Sequence, residues 1–395
     1  MGSGIHVEAV RPGDLDAEAQ GRWRAFRAAR PELASPYFDL RYVQAAGEAA
    51  PHAAVAVAWR GGRIEAFLPF QRRGGLIQPL GAPLCDYHGL VAAPGSDIAV
   101  ADLFAVAGRS LRVSGWVGPA PVAGMHARRA MVADLGRGFE AYLGQRKAAG
   151  QGAALKDKRR RARALERDHG AVEFSFGADP GDVLDFIVRF KRAQMRRTGQ
   201  HDVFANAWTR RLLARLSGAP DADFGLRFAV LKARGQVIAA EAGLLSGDAY
   251  HLWFPVYDPD FARYSPGSLM TFETLRALAA QGVRTVDFGP AEDDYKRLYA
   301  DPGQPVWEGQ VNTRGFAAAC WRAGERLASP APAAARAWRA AVRRIDRIAA
   351  CEPTFNGQVG ATARSVADLG RRHPGKTLGL ALAATAPLAI LAAID

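Results

Sequence analysis

Phe228–Leu245 reads FAVLKARGQVIAAEAGLL. Two apolar runs flank Arg234-Gly235, the pattern of antiparallel strands joined by a tight turn. Ala53–Phe70, AAVAVAWRGGRIEAFLPF, has the same form around Gly61-Gly62. Aligning Gly62 with Gly235 sets Ile64 against Val237 and Ala66 against Ala239, at an offset of 173 residues. That is close to half the chain without its C-terminal tail, so the economical reading is two copies of one fold.

Beyond the second hairpin, strand and helix alternate. Ala249–Val256 (AYHLWFPV) reads as a strand and Val283–Phe288 (VRTVDF) as another. Between them Leu269–Ala280 is a helix, with Leu269, Phe272, Leu275, Leu278 and Ala279 on one side, which makes a βαβ-like unit. Val183–Arg196 and Trp208–Leu216 are amphipathic helices ahead of the hairpin. Leu155–Arg167 (LKDKRRRARALER) is a helix between the copies, with seven Lys/Arg against two acids. Its basic side is either solvated or turned to an anion. The expected class is α/β (α+β). One domain covers residues 1–150 and a second 171–325, with the basic helix at 151–170 and a C-terminal segment at 326–395.

Of 395 residues, 49% are apolar and 23% charged, which suits a globular protein and excludes a collagen-like or wholly disordered chain. The formal net charge of +13 points to an anionic partner. Charge alone would admit a nucleic acid, but no helix-turn-helix, RNA-recognition or zinc signature supports one. Three scattered cysteines, Cys85, Cys320 and Cys351, have no zinc spacing, so no metal is expected, and they suit a reducing compartment. The first 16 residues carry Glu8, Asp14 and Asp16 and no apolar run, unlike a signal peptide, so the expected location is cytoplasmic. Leu378–Ile394 is uncharged for 17 residues, at the lower edge of a spanning helix and interrupted by Pro387. It reads either as a peripheral attachment to the inner membrane or as a helix packed on the protein. Ser329-Pro330-Ala331-Pro332 is a linker. The helix Ala333–Ala350 after it sets Trp338, Val342, Ile345 and Ala349 against Arg336, Arg339, Arg343 and Arg347, a form that suits an anionic membrane surface or docking on the second domain.

The second half carries VIAAEAGLL, YDPDFARYSPGSLM and TVDFGPAEDDYKRLYAD in that order. The first half carries FLPFQRRGGLIQPLGAPLCDYHGLV, and FKRAQMRRTG follows the basic helix. Over roughly residues 20–315 the chain resembles the GNAT-fold acyltransferases of the CelD/BcsL type, relatives of the FemAB peptidyltransferases. The resemblance implies two tandem GNAT-like domains with mixed central sheets flanked by helices. It implies acetyl-CoA or another acyl-CoA as donor. The acceptor would be an amine or hydroxyl on a polysaccharide or a lipid-linked sugar of an exopolysaccharide or envelope precursor. The donor pyrophosphate would lie at Ser265, Pro266, Gly267 and Ser268, where a helix N-terminus presents free N–H groups.

Acyl transfer to an amine needs a base, an oxyanion donor and a proton for the thiolate. Glu241, a carboxylate inside an apolar run, is the candidate base, though a strand-edge or salt-bridged role fits equally. Tyr264, just before the helix, is the candidate acid or a core tyrosine. Asp293, Tyr295 and Lys296 match the family's acidic-x-Tyr-Lys segment. Lys296 would stabilise the oxyanion or bind a phosphate, and Asp293 and Tyr295 would touch substrate. Asp86, Tyr87 and His88 follow the Gly81-Ala82-Pro83 turn and read as acceptor-binding or as a hydrogen-bonded turn. Cys85 reads as packing. Arg343 and Asp346 fit R-x-x-D, a short motif of cyclic di-GMP sites, which chance also supplies in an Arg-rich chain. Two other functions stay open: a non-catalytic GNAT-like regulator that binds such a nucleotide, and a FemAB-like transferase using aminoacyl-tRNA.

Overall fold

The computed structural model describes residues 4–73, 76–108, 110–121, 125–218, 221–290, 294–312, 332–352 and 354–372. The strands are β1 Ile5–Val10, β2 Ala53–Arg60, β3 Arg63–Arg73, β4 Leu76–Pro79, β5 Val91–Ala92, β6 Ser110–Trp116 and β7 His126–Asp134 in the first half. The second half has β8 Val172–Phe176, β9 Phe224–Ala233, β10 Gln236–Ser246, β11 Ala249–Leu252, β12 Val256–Tyr257, β13 Thr285–Asp287 and β14 Asp301–Asn312. The helices are α1 Ala17–Ala28, α2 Leu40–Ala49, α3 Phe104–Ala107, α4 Phe139–Arg146, α5 Gly152–His169, α6 Pro180–Thr198, α7 Ala207–Gly218, α8 Pro266–Ala280, α9 Pro332–Cys351 and α10 Phe355–Arg372.

Both hairpins form where the sequence places them. Arg60 faces Arg63 across Gly61-Gly62, and Ala233 faces Gln236 across Arg234-Gly235. All four central residues have positive φ (57°, 76°, 51° and 75°), the backbone of the tight turns that match strand twist. Arg234 is the costly member, and its guanidinium offsets the strain by donating to the carbonyls of Asp168 and His169 at 3.2 and 3.1 Å. Helix limits follow ordinary capping. For α6, Asp179 caps Gly181 N–H at 2.9 Å, Pro180 opens the first turn, and Gly199 closes the helix in the left-handed region.

The two expected sheets are joined into one. Its order is β1-β2-β3-β4-β6-β14-β7-β13-β11-β10-β9-β8, with β5 on β3 and β12 on β10. Each half thus gives its last strand to the other. β7 pairs with β13 of the second half, and β14 pairs with β6 of the first. The two exchanged strands also pair with each other, from Asp301↔Val132 to Glu308↔His126. Met131, Val306 and Val311 are buried there, each worth about 1.5–3 kcal/mol of apolar burial.

α9 forms over the predicted span. Its apolar stripe of Trp338, Val342, Ile345 and Ala349 is buried, together with Ile348. Its polar side is tied to both halves: Arg343 donates to Glu308 at 2.8 Å, Arg339 to His126 at 3.2 Å and Arg347 to Gln200 at 3.1 Å. Of the two settings expected for this helix, docking on the protein is the one seen, because the stripe that lipid would take is covered. Among the described residues no helix is long and apolar enough to cross a membrane, and Leu378–Ile394 lies outside them.

Candidate active site

Two pairings in the sheet are parallel, β4 with β6 and β11 with β13. Both are short. The first covers Leu76↔Ser110 and Ile77↔Leu111, and the second ends at His251↔Asp287. Beyond these residues the strands part and leave an opening in the sheet.

The β11/β13 opening receives the first-half loop that follows β4. His251 Nε2 lies 3.1 Å from Asp86 Oδ2, and Tyr87 donates its hydroxyl to Asp287 Oδ1 at 2.9 Å. His251 Nδ1 is 3.8 Å from the same Asp287 oxygen. His251 therefore sits, 1% exposed, between two carboxylates from different halves. Two glycines permit the approach. A Cβ on Gly115 would fall 2.1 Å from the Asp86 carbonyl oxygen. One on Gly289, where φ is +82°, would fall 3.0 Å from Asp86 Oδ2 and 3.8 Å from Lys296 Nζ. The two carboxylates respond in opposite directions. Burial acts on Asp86, but the His251 hydrogen bond and the charges of His251, Lys296 and Arg347 outweigh it and hold the group below the usual carboxylate range. For Asp287 burial wins, and its affinity for a proton rises.

Asp86 and Lys296 face a cavity of about 460 Å³ where β4 and β6 part, with α9 as its outer wall. Among the described residues, Arg73, Arg112, Arg128, Lys296, Arg343 and Arg347 line it against two acids, Asp86 and Asp346. Residues assigned from sequence to separate roles thus converge here: Asp86, Lys296, Arg343 and Asp346. The last two also have partners within the protein, since Arg343 pairs with Glu308 and Asp346 with Arg112 and Arg73. Cys85 borders the cavity as a buried thiol donating to the Tyr87 carbonyl. Burial pushes its pKa up, away from a reactive thiolate.

The remaining assignments fare differently. Tyr87 and His88 are turned into the protein, and only Asp86 of that trio reaches the cavity. His88 is held by the Pro69 carbonyl at 2.7 Å, and burial lowers its pKa to about 4. Both therefore hold the loop rather than line the cavity. Glu241 is fully buried and away from the cavity lining. Its carboxyl faces the Tyr250 hydroxyl at 3.4 Å, and burial raises its pKa to about 8. A sealed group has no path to a substrate in the cavity. Tyr264 is also outside the lining. Its hydroxyl donates to Asp168 at 2.8 Å, lies 3.2 Å from His169, and anchors the end of α5. Tyr295 is exposed beside the cavity rather than in it. Asp293 lies outside the described residues.

Ser265–Ser268 do start α8. Ser265 takes φ +54° and leaves the helix without a side-chain cap. The basic helix α5 lies against this end. Lys158 donates to Ser265 Oγ at 3.2 Å, and Arg161 to the Arg263 carbonyl at 2.9 Å. Burial, reinforced by Arg161, makes Lys158 easier to deprotonate. Ser268 is within hydrogen-bonding reach of Tyr299, which also feels the Glu241 charge. Lys296 and Tyr299 share one turn, since Tyr299 N–H donates to the Lys296 carbonyl at 2.9 Å. One short segment therefore joins the α8 end to the cavity.

Residues 152–297 match the family profile of the acetyltransferase (GNAT) domain. The chain carries a GNAT domain and is an acyltransferase. The matched span runs from α5 through Lys296, so it holds the α8 N-terminus, His251 and Asp287, while Asp86 and α9 lie outside it. Similar solved structures include a tandem GNAT protein from the clavulanic acid biosynthesis pathway, 15% identical, covering 79% of this chain and 100% of that one at a TM-score of 0.49. FemX is 11% identical, with 74% and 94% covered and a TM-score of 0.48. The C-terminal domain of an assigned lysylphosphatidylglycerol synthetase from Agrobacterium fabrum is 12% identical, with 78% and 95% covered and a TM-score of 0.45. No curated protein sequence matches the chain. Among the described residues no group of three or more His, Cys, Asp or Glu could hold a metal ion.

His251, Asp287 and the arginines Arg73, Arg112 and Arg128 escaped the sequence reading. The available signal was a histidine inside an aromatic strand and an aspartate followed two residues later by glycine.

Proposed function

We propose that this GNAT domain transfers an acyl group from acyl-CoA to an amine or hydroxyl of a sugar unit, in a polysaccharide or its lipid-linked precursor, held in the cavity over Asp86 and Lys296. The observation that carries the reading is the meeting of Asp86, His251 and Lys296 at the wall of that cavity. The donor pyrophosphate would rest on the α8 N-terminus beside Lys158. The acceptor nitrogen attacks the thioester carbonyl carbon, and its proton passes to the Asp86–His251 pair. The carbonyl electrons move to oxygen, where Lys296 stabilises the oxyanion. They then return as the C–S bond breaks, and the CoA thiolate leaves with a proton from Lys296.

The test is calorimetry with acetyl-CoA and free CoA, beside transfer assays on amino sugars. Saturable 1:1 binding is expected, weakened in Lys158→Glu, with turnover lost in Asp86→Asn. Absence of binding to both ligands would overturn the acyl-CoA reading. One observation favours a second donor. Lys156, Arg159, Arg160, Arg163 and Arg167 are exposed on α5, next to the α8 end, and an RNA backbone suits such a row. Aminoacyl-tRNA binding that weakens steeply with salt, and is lost when these residues become Glu, would establish that donor.

A further inference from the structure

Among the described residues the cavity lining carries more positive than negative charge, and its most buried arginines lie at one place. Arg128 and Arg343 share Glu308, at 3.5 and 2.8 Å. Arg73 and Arg112 share the single carboxylate of Asp346, which comes from α9 outside the matched GNAT domain. The two arginine side chains are 12% and 11% exposed, and Asp346 is 25% exposed. Arg73 lies 3.8 Å from the carboxylate and spends one N–H on Gln78 at 3.0 Å, while its Nε has no partner. Burial pulls its pKa down to about 10, with the Asp346 charge opposing the fall and the Arg112 charge adding to it. Paired, forked arginines are matched to phosphate oxygens, and a phosphate brings more charge and more acceptors than a carboxylate.

We propose that Arg73 and Arg112 form a phosphate subsite of the acceptor cavity, and that Asp346 occupies it as a built-in counter-ion which a phosphorylated sugar displaces. The proposal rests on the cavity being the acceptor site, and it names the acceptor class as a phosphate-bearing sugar. α9 then acts as part of the binding site. It closes the cavity through Asp346 when the site is empty and presents Arg343 and Arg347 when a phosphate is bound.

The test is binding to the full chain at fixed salt, which needs no turnover. The probes are inorganic pyrophosphate, UDP-glucosamine, glucosamine 1-phosphate, glucosamine and phosphatidylglycerol vesicles. The phosphorylated probes are expected to bind and glucosamine to bind at least tenfold more weakly. Arg112→Gln should weaken phosphate binding about ten- to hundredfold, and Arg112→Lys, which keeps charge but not the fork, by less. Asp346→Asn should strengthen it about tenfold, a gain that a merely structural salt bridge would not produce. Unchanged affinity in Arg112→Gln, or unchanged or weaker affinity in a folded Asp346→Asn, overturns the proposal. Should Asp346→Asn not fold, the arginine variants decide it. Binding only to UDP-glucosamine assigns a nucleotide-linked acceptor, and binding only to vesicles a lipid-linked one. Both outcomes keep the subsite. Phosphate binding without any acyl transfer would sink the transfer reading and leave the subsite. Efficient acylation of glucosamine with no phosphate effect would do the reverse.

Discussion

Replacing Glu241 by Gln should flatten part of the pH dependence of stability. Glu241 is sealed inside the second half with its pKa raised by burial from 4.5 to about 8. Below about pH 4.5 it is protonated in both folded and unfolded chains. Between 4.5 and 8 the unfolded chain releases the proton first, so stability falls as pH rises. Above 8 both states are ionised and the loss is complete. At 1.36 kcal/mol per unit, the whole span amounts to about 5 kcal/mol, of which about 3 kcal/mol is gone at pH 7. Glutamine has the same shape, keeps an acceptor for Tyr250, and never ionises. Variant and wild type should match near pH 5 and diverge steadily, with the variant more stable by roughly 3–5 kcal/mol at pH 9. For a chain of 395 residues the unfolding entropy is about 0.8 kcal/mol/K, so the gap in Tm is on the order of 5 °C. Thermal melts of both proteins at pH 5, 6, 7, 8 and 9 give the difference directly, and other titrating groups cancel in it. A difference constant across that range would refute the reasoning.

His88 should act in the opposite sense: its lowered folded pKa, about 4, supplies stability that is present above pH 6.5 and lost towards pH 4. Wild type should therefore lose up to about 3 kcal/mol more than His88→Gln over that interval, read from acid unfolding curves. Asp86→Asn is expected to lower transfer about 10²- to 10⁴-fold with acetyl-CoA affinity unchanged, and retained turnover would remove Asp86 from the chemistry. Gly289→Ala puts a Cβ against Asp86 at a left-handed backbone position, so activity should drop while the melt shifts by only a few degrees. Residues 1–150 and 151–395 expressed apart should each be insoluble or unfolded, because each lacks the strand that completes its sheet. A cooperative melt from either piece alone would contradict this.

Local features of the fold were legible because they rest on local physics. Gly61, Gly62 and Gly235 mark turns that need positive φ, and the 3.6-residue spacing marks α6, α8 and α9. The strand exchange left no such trace: Asp287↔Val132 joins residues far apart in sequence, and pairing at that range imposes no local period. The site divided along the same line. Asp86 was legible as a polar residue after the Gly81-Ala82-Pro83 turn, and Lys296 from the resemblance of its segment to the acidic-x-Tyr-Lys run of the family. His251 and Asp287 look like ordinary strand residues until the sheet opens beside them. Glu241 and Tyr264 show the reverse error. Their types suit acid–base work, but burial seals one and Asp168 with His169 ties down the other. Residue type was visible, and access to solvent was not.

The exchange of terminal strands also changes how the two halves can diverge. Neither half completes its own sheet at the centre, so a defect in one final strand disturbs the other half as well. Chemistry carries no such bond. One opening in the sheet is plugged by a loop of the other half, and its twin stands free as a cavity walled by α9. The architecture is thus a symmetric frame with asymmetric openings.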